Sequence, residues 1–370
     1  MNDPRWNDPN KVPISNGPIS VVTSPTQFQF KLAEDGEYVE FLLPYPMHVV
    51  DGAAWKSLEC SINGKQVFIE RPIPIQSRYE PQGRLGNESP DAFCSIVRVK
   101  CPASTPSCPQ PAEIWPVVEH LLSWIRVKAR HYWLLHGQAG FGASYRGSLF
   151  NQNTTQLSQI NFAAYGPNLI VLPLTESIWL TLAADLAAGS EPPVSESLFC
   201  DALLSATAGD DVKAVLEMGV AVEVELSLLL GELSQSSPAT QGKTDYAKRG
   251  DRHKFIPKLE GWPQKMGLEA ASSFTMTGLY SGWVDIVKEL YDLRGSVAHS
   301  GRLRPGVSAR DISAYLFAGN ALFAYCRAQR KKSGLPAFSY PDGQDPYSQL
   351  YVFRDGVMSY VSSPLVGRFT

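Results

Sequence analysis

Residues 210 to 233 read DDVKAVLEMGVAVEVELSLLLGEL. Apolar residues recur three and four apart along this run, the interval that lines up side chains on one stripe of a helix. Asp210 or Asp211 stands where an N-cap is needed. The same period governs the chain from Thr175 onward. It returns over residues 195 to 205, and Trp283, Ile286, Val287, Leu290 and Leu293 form a single stripe. Ser308 with Asp311 makes a capping-box variant that opens a helix through Ile312, Tyr315, Leu316, Leu322, Phe323 and Cys326. Short connections between such helices predict an antiparallel bundle, with residues 234 to 254 as a polar, Lys-rich loop inside it.

Upstream the period changes to two. Phe28, Phe30 and Leu32 alternate with polar residues, Glu34, Asp35 and Gly36 read as a turn, and Tyr38 to Leu43 returns. Leu58, Cys60 and Ile62 alternate up to Asn63 and Gly64, and Val67 and Ile69 alternate back. Asn-Gly is the dipeptide that best tolerates the positive φ of a two-residue hairpin. Phe93 to Lys100 reads as a further strand, and the Pro-rich run from Cys101 to Pro111 as a linker. A helix is expected over Trp115 to Trp133, with Pro116 in its first turn and Arg126 and His131 inside one continuous stripe. The glycine-rich stretch 137 to 147 and two short strands, 158 to 164 and 169 to 172, complete an N-terminal, mainly β domain over residues 1 to 172. The tail from 333 carries a hairpin across Asp355 and Gly356, expected to add to the N-terminal sheet.

With 44% hydrophobic and 19% charged residues in 370, the chain has material for about two folded domains. No run approaches the roughly 18 apolar residues of a membrane span, and the polar, Pro-rich start is unlike a secretion signal. We therefore expect a cytoplasmic protein with no membrane partner. The six cysteines are too scattered for a disulfide framework or a zinc knuckle, and neither cofactor nor metal is implied. The net charge of −3 hides an asymmetry: residues 241 to 335 hold 16 Lys or Arg against 8 Asp or Glu. Such a stretch either complements the acidic segment 191 to 240 or meets a phosphate-bearing partner.

Familiar catalytic motifs fall away one by one. The glycines from 137 to 142 lack the Lys and Ser/Thr of a phosphate loop, and the Ser144 stretch has one residue too many for a hydrolase elbow. His131 and His136, five apart, would point about 140° apart on a helix and share no metal. What remains is residues 290 to 301, LYDLRGSVAHSG. An arginine offers a permanent fork of donors to a phosphate, and a histidine titrates near neutrality and moves protons. If the helix bends at Gly295, Arg294 and His299 face one cleft. The same pair can instead be structural, with Arg294 capping its helix and pairing with Glu289 or Asp292. Lys243, Lys248, Arg249, Arg252, His253 and Lys254, interleaved with Tyr246 and Phe255, read either as an RNA guide or as a solvated loop.

The stretch from Tyr291 to Gly301, between an amphipathic helix and the helix from Ser308, resembles the Arg-x4-6-His motif of the HEPN superfamily, in detail its ApeA-type members. Residues 210 to 223 resemble that family's paired helices with an embedded acidic residue, and the likeness spans about residues 174 to 332. With the alternation upstream it gives an α+β multidomain chain: a β-rich N-terminal domain read from the sequence pattern, then, as the resemblance implies, an all-α antiparallel HEPN-like helical bundle. It further implies a metal-independent endoribonuclease, often of toxin or antiviral systems, that assembles its cleft as a homodimer. Arg294, His299 and Glu223 take the catalytic positions. Ser296 supplies a hydroxyl next to Gly295, where many members carry Asn, Asp or His. Lys248, Arg249, Arg252 and Lys254 would contact the RNA, and the N-terminal domain would bind an unidentified ligand or activator. Other members of the superfamily only bind or scaffold, so a non-catalytic dimerisation and interaction module is the second expectation.

Overall fold

Asn63 and Gly64 have φ of 50° and 77°, the left-handed pair that a two-residue hairpin demands, and they join β3 (Leu58–Ile62) to β4 (Lys65–Ile75). The computed structural model describes residues 29–32, 38–43, 58–75, 92–100, 111–132, 134, 176–207, 209–236, 241–248, 254–275, 282–338, 351–354 and 357–360. Phe28, the Glu34 to Gly36 turn, the Pro-rich run 101–110, the glycine-rich stretch and the strands expected at 158–164 and 169–172 lie outside these residues. With β1 (Gln29–Leu32), β2 (Tyr38–Leu43) and β5 (Ala92–Lys100), the first hairpin completes an antiparallel sheet in the order β1-β2-β5-β4-β3. The alternation read from sequence fixes its faces: Cys60, Ile62, Val67, Ile69, Val97 and Val99 are buried while Glu59, Ser61 and Gln66 are exposed. Pro72 and Pro74 are tolerated because β3 pairs β4 only as far as Ile69, so the prolines lie past its end, where the register also shifts between Glu70 and Ile73.

The remaining described elements are mostly helices: α1 (Pro111–Lys128), α2 (Glu176–Ala187), α3 (Val194–Thr207), α4 (Asp211–Ser236), α5 (Gln241–Lys248), α6 (Phe255–Glu260), α7 (Trp262–Lys265), α8 (Trp283–Ser300) and α9 (Ala309–Lys332). Asp210 caps α4 by accepting from the Lys213 amide at 3.0 Å, and Ser308 with Asp311 forms the full capping box of α9. Trp179 of α2 donates to the Glu59 carbonyl at 3.0 Å and ties the helices to the sheet. Among the described residues no helix is long and apolar enough to cross a membrane.

Four readings are corrected. Helix α1 begins at Pro111, so Pro116 lies inside it rather than in its first turn. It ends at Lys128, so His131 lies beyond it; Arg130 there adopts φ of 58°. The polar loop 234–254 contains a helix, α5, and the last turn of α4. The C-terminal hairpin forms, β6 (Tyr351–Arg354) against β7 (Val357–Tyr360), but as a two-stranded sheet of its own. Finally, α8 runs without a break through Gly295 to Ser300 and is closed by Gly301 in the left-handed region at φ 68°. One glycine costs a helix only about 1 kcal/mol, and the buried stripe on both sides of it carries the helix across.

Charge, not only apolar area, binds α1, α3, α4 and α9. Glu196 on α3 is 2% exposed and receives Arg130 at 2.9 Å and Arg327 at 3.0 Å. Glu225 on α4 accepts from Ser195 at 2.7 Å and from Arg330, whose Nε also meets Glu232 at 3.0 Å. The Arg130 guanidinium lies 4.2 Å from the Phe199 ring centroid, and Arg126 meets Asp201 at 2.5 Å. Removing one member of a buried pair strands the other charge. Glu196→Ala is therefore expected to cost about 3–5 kcal/mol in urea unfolding; a loss below about 1 kcal/mol would show that the arginines find other partners.

Candidate functional site

At Gly219, α4 packs directly against the Arg294 side chain of α8. A Cβ built there would stand 2.6 Å from Cγ and 2.7 Å from Cβ of Arg294, so only glycine leaves room for that side chain to lie along α4. One turn further on, Glu223 meets it: Nη2 of Arg294 is 3.2 Å from Oε2 of Glu223, with the two side chains 28% and 24% exposed. Tyr291, one turn back on α8, lies under the guanidinium at 5.5 Å and stacks on Phe255 at 4.4 Å with 13° between the rings. Burial, reinforced by the Glu223 carboxylate, raises the Tyr291 phenol above its ordinary pKa and keeps it protonated.

Lys258 of α6 completes the group. It is 5% exposed, and its ammonium donates to Ser227 Oγ at 2.7 Å; that hydroxyl in turn donates to the Glu223 carbonyl at 2.6 Å. Burial lowers the Lys258 pKa, opposed by the field of Glu223.

The structure thus brings together Arg294 and Glu223, which the resemblance placed in one site, and pairs Arg294 with Glu223 rather than with Glu289 or Asp292, the partners its structural reading offered. His299 is exposed in the last turn of α8 and Ser296 is partly buried. Because the helix is continuous, Arg294 and His299 project about 140° apart around it, at roughly 100° per residue, and do not converge by a bend at Gly295. Lys254 is exposed at the start of α6, one residue before Phe255. Lys248 is exposed at the end of α5, which is docked through Tyr246 on Trp262 at 5.1 Å. Arg249 and Arg252 lie outside the described residues. A cavity of about 350 Å³ beside α8 is lined by Asp292, Arg304, Asp311 and Tyr315 among others, but by neither Arg294 nor His299; its carboxylates disfavour a phosphate. Among the described residues no group of three His, Cys, Asp or Glu is placed to hold a metal ion.

Sequence reading missed Gly219, Ser227, Lys258 and the Phe255 stack. Gly219 interrupting an apolar helical run was a usable signal; Lys258 carried none. Compared with models of known families, with curated proteins and with solved structures, the chain matches none.

Two outcomes are expected. Elsewhere in a helix Gly→Ala gains about 0.5–1 kcal/mol; Gly219→Ala should instead lose about 1–3 kcal/mol in chemical denaturation, because the clash falls on the root of Arg294. Lys258→Met should raise stability by about 1 kcal/mol at neutral pH. The sign follows from linkage: the folded pKa lies below the ordinary 10.5, so the penalty of the buried charge is complete below the folded pKa and disappears as pH rises towards 10.5. Melting curves of wild type and variant should converge in that alkaline window; a constant offset at all pH values would refute the charge argument.

Proposed function

We propose that the chain is a metal-independent endoribonuclease of the HEPN type, acting as a homodimer in a toxin or antiviral role. A β-rich N-terminal domain, bounded near residue 172, would sense an unidentified ligand or activator. The observation that carries this reading is the Arg294–Glu223 pair where α4 packs on α8, with His299 exposed at the end of the same helix. In such a site His299 takes a proton from the ribose 2′-hydroxyl and the arginine stabilises charge on the phosphate during in-line attack. Glu223 holds the guanidinium until substrate arrives. Lys254 and Lys248, with Arg249 and Arg252, draw in the RNA backbone. Since the unbroken helix turns Arg294 and His299 apart, the cleft is completed by a second copy, so that the arginine of one protomer works with the histidine of its partner.

The same geometry favours a second reading. An arginine engaged with a carboxylate on a continuous helix also suits a non-catalytic dimerisation module whose N-terminal domain does the binding. Activity separates the two. Purified protein incubated with RNA, DNA and 2′-O-methyl RNA should cut only RNA, equally well in EDTA, leaving 2′,3′-cyclic phosphate or 3′-phosphate ends. His299→Ala should abolish cutting without lowering the melting temperature, and Arg294→Lys should lose most of it, because a point charge does not reproduce a two-pronged donor. Cutting that needs magnesium, or 3′-hydroxyl products, would refute the mechanism. A monomer in sedimentation at micromolar concentration would refute the shared cleft.

A further inference from the structure

Glu223 is one carboxylate between two cations. Arg294 holds it directly at 3.2 Å. Lys258 does not: its ammonium is buried on α6 against the hydroxyl of Ser227, and among the described residues Glu223 is an acidic group whose field reaches it. Ser227 lies four residues after Glu223, on the same face of α4, and its hydroxyl bonds back to the Glu223 carbonyl, so the Glu223 side chain and the Lys258 ammonium border one patch. A buried ammonium satisfied by a neutral hydroxyl is a costly arrangement, and an apolar side chain of the same length would cover the same surface.

The cost acquires a use once a phosphate is considered. A phosphate drawn to Arg294 competes with Glu223 for the same guanidinium, and the two anions repel each other. If the carboxylate had nowhere to go, the repulsion would oppose binding. A second cation beside it, with no carboxylate in contact among the described residues, removes that obstacle.

We propose that Lys258 is a positioning residue of the Arg294 site, receiving the Glu223 carboxylate when Arg294 turns from Glu223 to an incoming phosphodiester. The inference rests on the RNA reading above and adds the means by which the site opens. Resting, the patch holds an Arg294–Glu223 pair and a waiting lysine; loaded, it holds an Arg294–phosphate pair and a Glu223–Lys258 pair. Among the described residues, every charge of the patch has an oppositely charged partner only in the loaded state.

The test is a double-mutant cycle on the full chain, read by fluorescence anisotropy of a labelled single-stranded 2′-O-methyl RNA that cannot be cleaved. Lys258→Met should weaken binding about fivefold and Glu223→Gln should tighten it about fivefold, the size of an ordinary coupling between sites. In the Glu223→Gln background Lys258→Met should then change affinity less than twofold, since the carboxylate it accommodates is gone. Lys258→Arg should keep most of the wild-type affinity, and the Lys258→Met protein should melt no lower than wild type. An equal loss in both backgrounds would show that Lys258 is only a contact for RNA, and no loss in either would show that it plays no part; both results overturn the inference while leaving RNA binding standing. If neither wild type nor Glu223→Gln binds the oligonucleotide, the RNA reading falls and this inference with it.

Discussion

The fold turns on two carboxylates in its interior, Glu196 on α3 and Glu225 on α4, and on the arginines that reach them from just past α1 and from α9. Burying such groups contributes little net stability, because desolvation offsets most of the attraction. Its effect is on register. Leucine can slide past leucine at small cost, whereas an arginine displaced by half a turn leaves two buried charges unmet. The buried residues of α4, from Ala214 to Leu233, form one broad stripe, and Glu225 lies within it. Glu225 pins its rotation towards α3 and α9. Glu223, two residues earlier and about 200° around the helix, is thereby aimed the other way, at α8. The site is a consequence of the core: Arg294 finds its carboxylate because arginines elsewhere have oriented the same helix.

A second constraint is steric. Gly219 lets the root of Arg294 approach α4, and the Phe255–Tyr291 stack closes the other side, so the guanidinium is bounded by a helix backbone, a carboxylate and an aromatic face. A long, flexible side chain loses much conformational entropy when held in this way. Here that entropy is lost during folding rather than when a ligand arrives, which is how a recognition group becomes preorganised.

Local signals carried most of what the sequence made legible. Hairpin β3–β4 was readable because Asn63 and Gly64 announce it, and α9 because Ser308 and Asp311 form its cap. Arg294 and Glu223 were placed together by the resemblance to the HEPN motif, not by any local signal. Reading failed where a local preference met a long-range partner. Gly295 looked like a bend, but the buried residues Leu293 and Val297 on either side carry the helix through it. Arg126 and His131 looked like one helix, but the Glu196 partner of Arg130 draws the chain out of it. Lys258 follows a proline in a six-residue helix with no stripe to read, and its significance lies in Ser227 and Glu223, more than thirty residues away.

That lysine also bears on why the site has the composition it has. The charge balance of residues 241 to 335, 16 basic against 8 acidic, can be supported by exposed lysines at almost no cost, and Lys248 and Lys254 are placed in that way. Lys258 is not, and burial pushes its pKa down in spite of Glu223. A group held in an unfavourable ionisation environment, beside a shared carboxylate and an arginine, is what stability alone would remove and what a working site would retain. The interior arginines meet carboxylates at ion-pair distance and complete the core. Lys258 meets the Ser227 hydroxyl, and Glu223, whose field reaches it, is held by Arg294.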